Sequence, residues 1–227
     1  MDSFHEWILK SRPPLIRVVT PLMIPSLRDH LSADIAWLSA EEDDPDWRFG
    51  PWPALANFPN WIATFADYGN ATLLSAMVAA TEVTLPAWYA WFKTDPDFAN
   101  ASLCGGLPPP EQLALARQWI AEPTETNANA VRGSADLTVQ TFWHDMEYED
   151  QWLSQSYSDA MWTIDAALHC VIAVDSLTNP YGLYRTHPQT PAMIAIIGAC
   201  VSLRCRDMSW GPAIQSVVQA IRSELLA

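Results

Sequence analysis

The sequence predicts an all-α fold, an irregular array of about nine to eleven mostly short helices packed as helix hairpins. The prediction rests on three observations. Apolar residues recur at helical spacing, whereas strand-like alternation does not persist for more than a few residues outside Ile16–Val19. Helix start signals precede many of the apolar runs. Half of the 227 residues are hydrophobic, which is enough to form one core without disulfides.

The N-terminal half is expected to hold short helices between proline-rich segments. A capping box at Ser3–Glu6 opens a helix to about residue 10, and a segment with four prolines follows it. Further helices are predicted at about residues 26–40, 60–68, 71–80 and 84–93. Their expected N-caps are Ser26, Asn70 and Thr84.

A long loop is predicted at about residues 41–59, where five acidic residues, four prolines and two tryptophans occur together. Loops of this length are usually functional or disordered. The tryptophans favour an ordered loop, because their large apolar bodies are stabilised by packing. No composition shift divides the chain into two domains, so residues 1–227 are expected to form one helical domain with this loop inside it.

The C-terminal half shows stronger helical patterns. Helices are predicted at about residues 111–122, 124–137, 138–147, 156–177, 190–206 and 211–225. The short turn at Pro123 predicts a helix hairpin, with Thr124 as the next N-cap. The helix at 156–177 is the strongest core candidate. Before the first of these helices, residues 95–110 are expected to form a loop. The last helix has an apolar stripe of Ile214, Val217, Val218, Ile221 and Leu225.

Targeting signals and cysteines indicate a cytoplasmic protein. The N-terminus carries Asp2 and Glu6 and lacks the apolar stretch of a secretory signal. The longest apolar stretch, residues 192–203, is shorter than the roughly 20 residues that cross a bilayer, so no membrane span is expected. The chain has four cysteines, and three of them lie in apolar helical runs. The four are Cys104, Cys170, Cys200 and Cys205. They are therefore expected to be reduced thiols.

The net charge restricts the class of partner. The chain has 26 acidic and 12 basic residues, for a formal charge of −14, and only two lysines. Binding to a nucleic-acid backbone requires clustered Lys and Arg, so a nucleic acid is excluded as the expected partner. An acidic surface of this kind suits a soluble protein that binds a basic partner.

Candidate catalytic residues are few. The sequence has no phosphate-binding loop, no GxSxG motif and no zinc-ligand spacing, so neither a cofactor nor a metal is expected. Asp165 and His169 are four residues apart on a predicted helix and therefore share a face. Such a pair can orient a general base, or it can form a hydrogen bond inside the core, and the second interpretation is favoured. His30 is expected at the surface, and no catalytic residue is assigned.

Two acidic clusters next to aromatic residues are the candidate binding sites. Carboxylates attract a basic partner and bind its Arg or Lys side chains, while aromatic residues provide the desolvated anchors of an interface. The alternative is a solvated acidic loop beside core tryptophans. The candidate partner-binding residues are Glu41, Glu42, Asp43, Asp44, Asp46, Trp47 and Trp52 in the first cluster, and Asp145, Glu147, Tyr148, Glu149, Asp150 and Trp152 in the second.

A further pattern occupies residues 70–137, under a third of the chain. The stretch PPPEQLALARQWIAEPTETNANAVRGSADL has an alanine-rich helix with a Trp, then an acidic Pro-Thr-Glu turn, then a second alanine-rich helix. The preceding NATLLSAMVAATEVTLPAWYAWF is similar to a helix pair that often comes before it. The pattern resembles that of helical proteins encoded near bacterial type VI secretion and polymorphic-toxin loci, some of which are acidic immunity proteins.

The resemblance implies a cytoplasmic immunity protein that is not an enzyme and carries over no catalytic residue. Together with the charge, it predicts a protein that binds and neutralises a cognate, basic toxin effector domain by occluding it. One alternative is a small helical enzyme that uses Asp165 and His169. Another is an adaptor or structural subunit of a secretion system.

Overall fold

The computed structural model describes residues 26–32, 58–103, 106–134, 158–178, 189–206 and 210–227. Within these ranges there is no β-strand, so the predicted all-α class is confirmed. Nine α-helices and one 3-10 helix have defined bounds here, and residues 125–134 add further helical backbone. The α-helices are α1 (Leu27–Ser32), α2 (Phe58–Thr64), α3 (Asn70–Glu82), α4 (Leu85–Thr94), α5 (Pro96–Leu103), α6 (Pro109–Ala121), α7 (Ser158–Thr178), α8 (Gln189–Cys205) and α9 (Trp210–Leu226). The 3-10 helix is Phe65–Tyr68.

The core forms around α3, α7 and α8. Helix α7 packs most extensively against α8 and also contacts α3, α4 and α6. Helix α3 in turn contacts α6, α8 and α9. Because α7 is apolar on nearly all of its faces, it is stable only when other helices surround it. The sequence prediction that this helix forms the core is therefore confirmed.

Helix α9 lies against α3 and α8 through a single face. Ile214, Val217, Val218 and Ile221 of its predicted stripe are buried, and Leu225 is partly buried against the core. Burying one apolar side chain of this size contributes about 1.5–3 kcal/mol relative to leaving it exposed. The stripe therefore accounts for the position of α9 at the edge of the core.

Two predicted N-caps are confirmed by their hydrogen bonds. The backbone N–H of Asp29 donates to Ser26 Oγ over 3.1 Å at the start of α1. The N–H of Asn127 donates to Thr124 Oγ1 over 3.3 Å, and its side-chain amide donates to the carbonyl of Glu122 over 2.8 Å. These bonds satisfy backbone groups at helix ends and hold the turn between α6 and the helical segment 125–134.

The predicted cap at Asn70 is wrong. Asn70 is already inside α3, and the preceding Gly69 occupies the cap position with φ 104° and ψ 161°. Glycine has no Cβ, so it can adopt this conformation where other residues are strained. Thr84 does precede α4 as expected, but its hydroxyl donates to the carbonyl of Thr81 over 2.7 Å and does not cap the helix.

Two loop boundaries were also predicted wrongly. Helix α5 lies inside the predicted loop at 95–110, and α2 begins at Phe58, within the predicted loop at 41–59. Pro96 and Pro59 each lie in the first turn of a helix, where the missing N–H is not needed. As a sequence pattern, both prolines predict a loop. The rest of the predicted loop at 41–59 and the predicted helices at 3–10 and 138–147 lie outside the described residues.

One helix in the described part of the chain is long and apolar enough to cross a membrane. It is the segment Asp159–Thr178 of α7, and 83% of its most apolar window is buried inside the protein. Helices α3 and α4 together pass the same test as a bent pair. Because α7 is enclosed by α3, α4, α6 and α8, its composition is that of a core helix.

Candidate functional site

Asp165 and His169 lie on one face of α7, as their spacing predicts. The His169 Nδ1–H donates to the backbone carbonyl of Asp165 over 2.8 Å. The same nitrogen lies 3.2 Å from Asp165 Oδ1. A single nitrogen thus binds both the carbonyl and the carboxylate, which fixes the orientation of the ring.

The electrostatics of the pair favour a charged imidazole. Burial on its own lowers the pKa of His169, because it disfavours the charged form. The negative charge of Asp165 and the hydrogen bonds to its side chain and backbone oppose this, and the pKa is raised above its ordinary value. At neutral pH the ring is therefore protonated more often than a free histidine.

Access to this pair is closed. The Asp165 residue is 1% exposed and His169 is 7% exposed. The facing helix α8 presents Gly198 to the carboxylate: a Cβ at Gly198 would lie 3.7 Å from Asp165 Oδ2 and 3.6 Å from the Cβ of Ala166. Both carboxylate oxygens are buried, and among the described residues the carboxylate lies at the interface of α7 with α8.

Asp175, a further buried acidic residue of α7, also has a structural partner. Its Oδ1 accepts a hydrogen bond from Arg132 Nε over 3.0 Å. The Asp175 side chain is buried, whereas that of Arg132 is one quarter exposed. The ion pair therefore connects the helical segment 125–134 to the end of α7.

A cluster of ion pairs connects α3, α6 and α9 at the surface of the protein. Arg117 on α6 donates from Nε and Nη2 to the two carboxylate oxygens of Glu82, each over 2.7 Å, and from Nη1 to Glu224 over 2.8 Å. These bonds raise the pKa of Arg117 above its already high value. An open groove of about 350 Å³ lies beside the cluster. The two carboxylates that line this groove belong to Glu82 and Glu224, and Arg117 binds both of them.

His30 is not a simple surface residue, contrary to the expectation. Its ring lies 5.6 Å from that of Tyr68 and 5.9 Å from that of Phe65, and it stacks on Trp61 at 6.4 Å. Its Nε2 is 2.9 Å from the Thr64 hydroxyl. Burial lowers the pKa of His30, and Asp67 only partly opposes this, so α1 is attached to α2 through a neutral imidazole.

Three of the cysteines are described, and all three are free thiols, as predicted. Burial raises the pKa of Cys170 to about 12 and raises that of Cys200 as well, so neither forms a reactive thiolate near neutral pH. Cys205 is partly exposed. Cys104 lies outside the described residues. No group of three or more His, Cys, Asp or Glu side chains that could bind a metal occurs within the described ranges.

The sequence-predicted binding residues lie outside the described part of the chain. This applies to all thirteen residues of the two acidic clusters. The prediction that these clusters bind a partner therefore stays a prediction, as does the question of whether they form one surface.

An exposed aromatic surface on α4 was not assigned by the sequence analysis. Trp88 and Trp91 are buried, whereas Tyr89 is 54% exposed and Phe92 is 38% exposed. An aromatic run of this width does not fit into one buried stripe, so part of it reaches the surface. The spacing of the aromatic residues indicates this division, because residues three apart lie on one face of a helix. Trp88 and Trp91 form one such pair, and Tyr89 and Phe92 form a second pair on the adjacent face.

Comparison of the chain with models of protein families, with curated proteins and with solved structures gives no match. The resemblance of residues 70–137 to immunity-like helical proteins therefore stays a prediction.

Proposed function

We propose that this chain is a cytoplasmic immunity protein that binds a cognate, basic toxin effector domain and neutralises it by occlusion. The acidic charge supports this proposal. A charge of −14 attracts a basic protein over several ångströms and accelerates encounter with it. Toxin domains that act on nucleic acids or nucleotides usually have basic clefts, because their substrates carry phosphate charges, and an acidic protein is suited to bind and block such a cleft.

The burial of Asp165 and His169 is the observation that most favours binding over catalysis. These residues are the ones assigned to the alternative enzyme, and a general base must come within hydrogen-bond distance of its substrate. Here both side chains are buried, and the Asp165 carboxylate lies next to Gly198 of α8. Their geometry is that of a structural pair inside a core helix.

The experiment is a calorimetric titration of the purified chain with the product of the neighbouring gene. The proposal predicts a stable complex whose affinity falls when NaCl is raised from about 50 to 300 mM, because surface charges are screened over shorter distances at high salt. A matched titration uses a charge-neutralised product, in which surface Lys and Arg residues are replaced by Gln. Absence of any complex at either salt concentration would reject the proposal.

A further inference from the structure

Helix α4 presents two aromatic side chains, Tyr89 and Phe92, to solvent. We call Tyr89, Phe92, Asp95 and Asp97 the α4–α5 surface. Phe92 is exposed yet held from behind, since its ring packs against that of Trp88 at 5.8 Å. Trp88 itself is buried and makes an edge contact with Trp91 at 5.7 Å. A supported aromatic side chain loses little rotamer freedom on binding, which is a property of interface anchors.

The charges around these rings indicate the class of partner. Asp95 and Asp97 are exposed directly after the C-terminal turn of α4, beside the single exposed cation Lys93 of that turn. The carbonyl groups at the end of α4 add partial negative charge there. Two exposed aromatic residues and two exposed carboxylates therefore follow one another within residues 89–97, and these are the residue types that bind an arginine or lysine through cation–π contacts and ion pairs.

Charge also selects among the possible occupants. A second copy of this chain carries the same −14 charge and is repelled. Nucleic-acid phosphates and anionic lipid headgroups are repelled for the same reason. A basic protein surface is attracted. We infer that the α4–α5 surface docks an arginine- or lysine-bearing face of a basic protein partner, an inference that rests on the proposed function and assigns it a contact surface.

The test compares two variants of the full chain with two matched controls. Tyr89→Ala/Phe92→Ala removes the rings, and Asp95→Asn/Asp97→Asn removes the carboxylates. Leu226→Ala truncates another exposed apolar side chain, and Glu111→Gln/Glu122→Gln removes two exposed carboxylates at the two ends of α6. The probe is the product of the neighbouring gene, and the dissociation constant is measured by calorimetry.

We expect the ring variant to bind about 100-fold more weakly, as is typical when central aromatic anchors are truncated. We expect the carboxylate variant to bind about 10-fold more weakly at low salt and to approach wild type at high salt. Both controls stay within about two-fold of wild type, and circular dichroism shows all four variants folded, because the replaced side chains are exposed.

Each other outcome overturns the inference. If the wild-type chain binds the probe and the ring variant binds it equally well, the α4–α5 surface is not the contact surface, and the proposed function stands. If the wild-type chain binds nothing, the proposed function and the inference fall together. If sedimentation shows a wild-type dimer that the ring variant loses, the occupant is a second copy and not a basic partner.

Discussion

Replacing His169 by alanine tests how the centre of α7 is stabilised. In the native protein the imidazole is buried with Nδ1 2.8 Å from the Asp165 carbonyl and 3.2 Å from the Asp165 carboxylate. The alanine variant leaves that buried carboxylate without the imidazole and opens a cavity. Removing one partner of a buried ion pair costs about 3–5 kcal/mol, so we expect the free energy of unfolding to fall by that amount.

The assay is urea denaturation followed by tryptophan fluorescence, with the double variant Asp165→Ala/His169→Ala for comparison. Because the double variant leaves no unpaired charge, its loss of stability should be smaller than the sum of the two single losses. A loss below about 1 kcal/mol for His169→Ala would refute this account of the pair, since a buried partner cannot be removed that cheaply.

The pH dependence of the same stability follows from the direction of the pKa shift. The native pKa of His169 is raised above the unfolded value of about 6.5. Folding therefore favours the protonated ring. This contribution is complete below about pH 6.5 and is lost as pH rises through the native pKa. The stability difference between wild type and the alanine variant should shrink over that range, and a difference that grew with pH would contradict the assignment.

The remaining predictions concern backbone strain, surface ion pairs and thiol reactivity. Gly69→Ala should lower the free energy of unfolding by about 1–3 kcal/mol, because φ 104° with ψ 161° is accessible essentially only to glycine; a neutral effect in urea denaturation would show that the cap can relax. Arg117→Met should cost about 1 kcal/mol at low salt and less in 1 M NaCl, since its carboxylate partners are about one third exposed; a salt-independent loss would indicate packing and not charge. Cys170 should resist alkylation at pH 8 in the native protein and react after unfolding, as measured by peptide mass spectrometry; rapid native labelling would contradict its burial and raised pKa.

Elements dominated by local patterns were predictable from the sequence. The apolar stripe of α9 requires that one face be buried, and the continuous apolar run of α7 requires that nearly all faces be buried. Both helices form where expected. The shared face of Asp165 and His169 follows from helical geometry alone. What the spacing does not reveal is that α8 covers this face, because Gly198 is about 30 residues away in sequence and meets Asp165 only through tertiary packing.

The errors arose where one residue type permits two structures. Proline ends helices but also starts them, and Pro96 and Pro59 do the latter. Asn70 is a good cap residue, yet the neighbouring Gly69 takes the cap position, since only glycine adopts the required backbone angles. The exposure of individual side chains is harder to predict from the sequence than the helix boundaries. The exposure of Tyr89 and Phe92 depends on which helices cover Trp88, and that is a tertiary property.

Protection of living cells is the most direct measurement of the central claim. The product of the neighbouring gene is expressed in a host cell at a level that stops growth, with and without co-expression of this chain. The account predicts that the wild-type chain restores growth, that the Leu226→Ala control does so equally, and that Tyr89→Ala/Phe92→Ala protects far less at the same cellular level. If a toxic neighbour product arrests growth equally with and without the wild-type chain, the immunity function is contradicted.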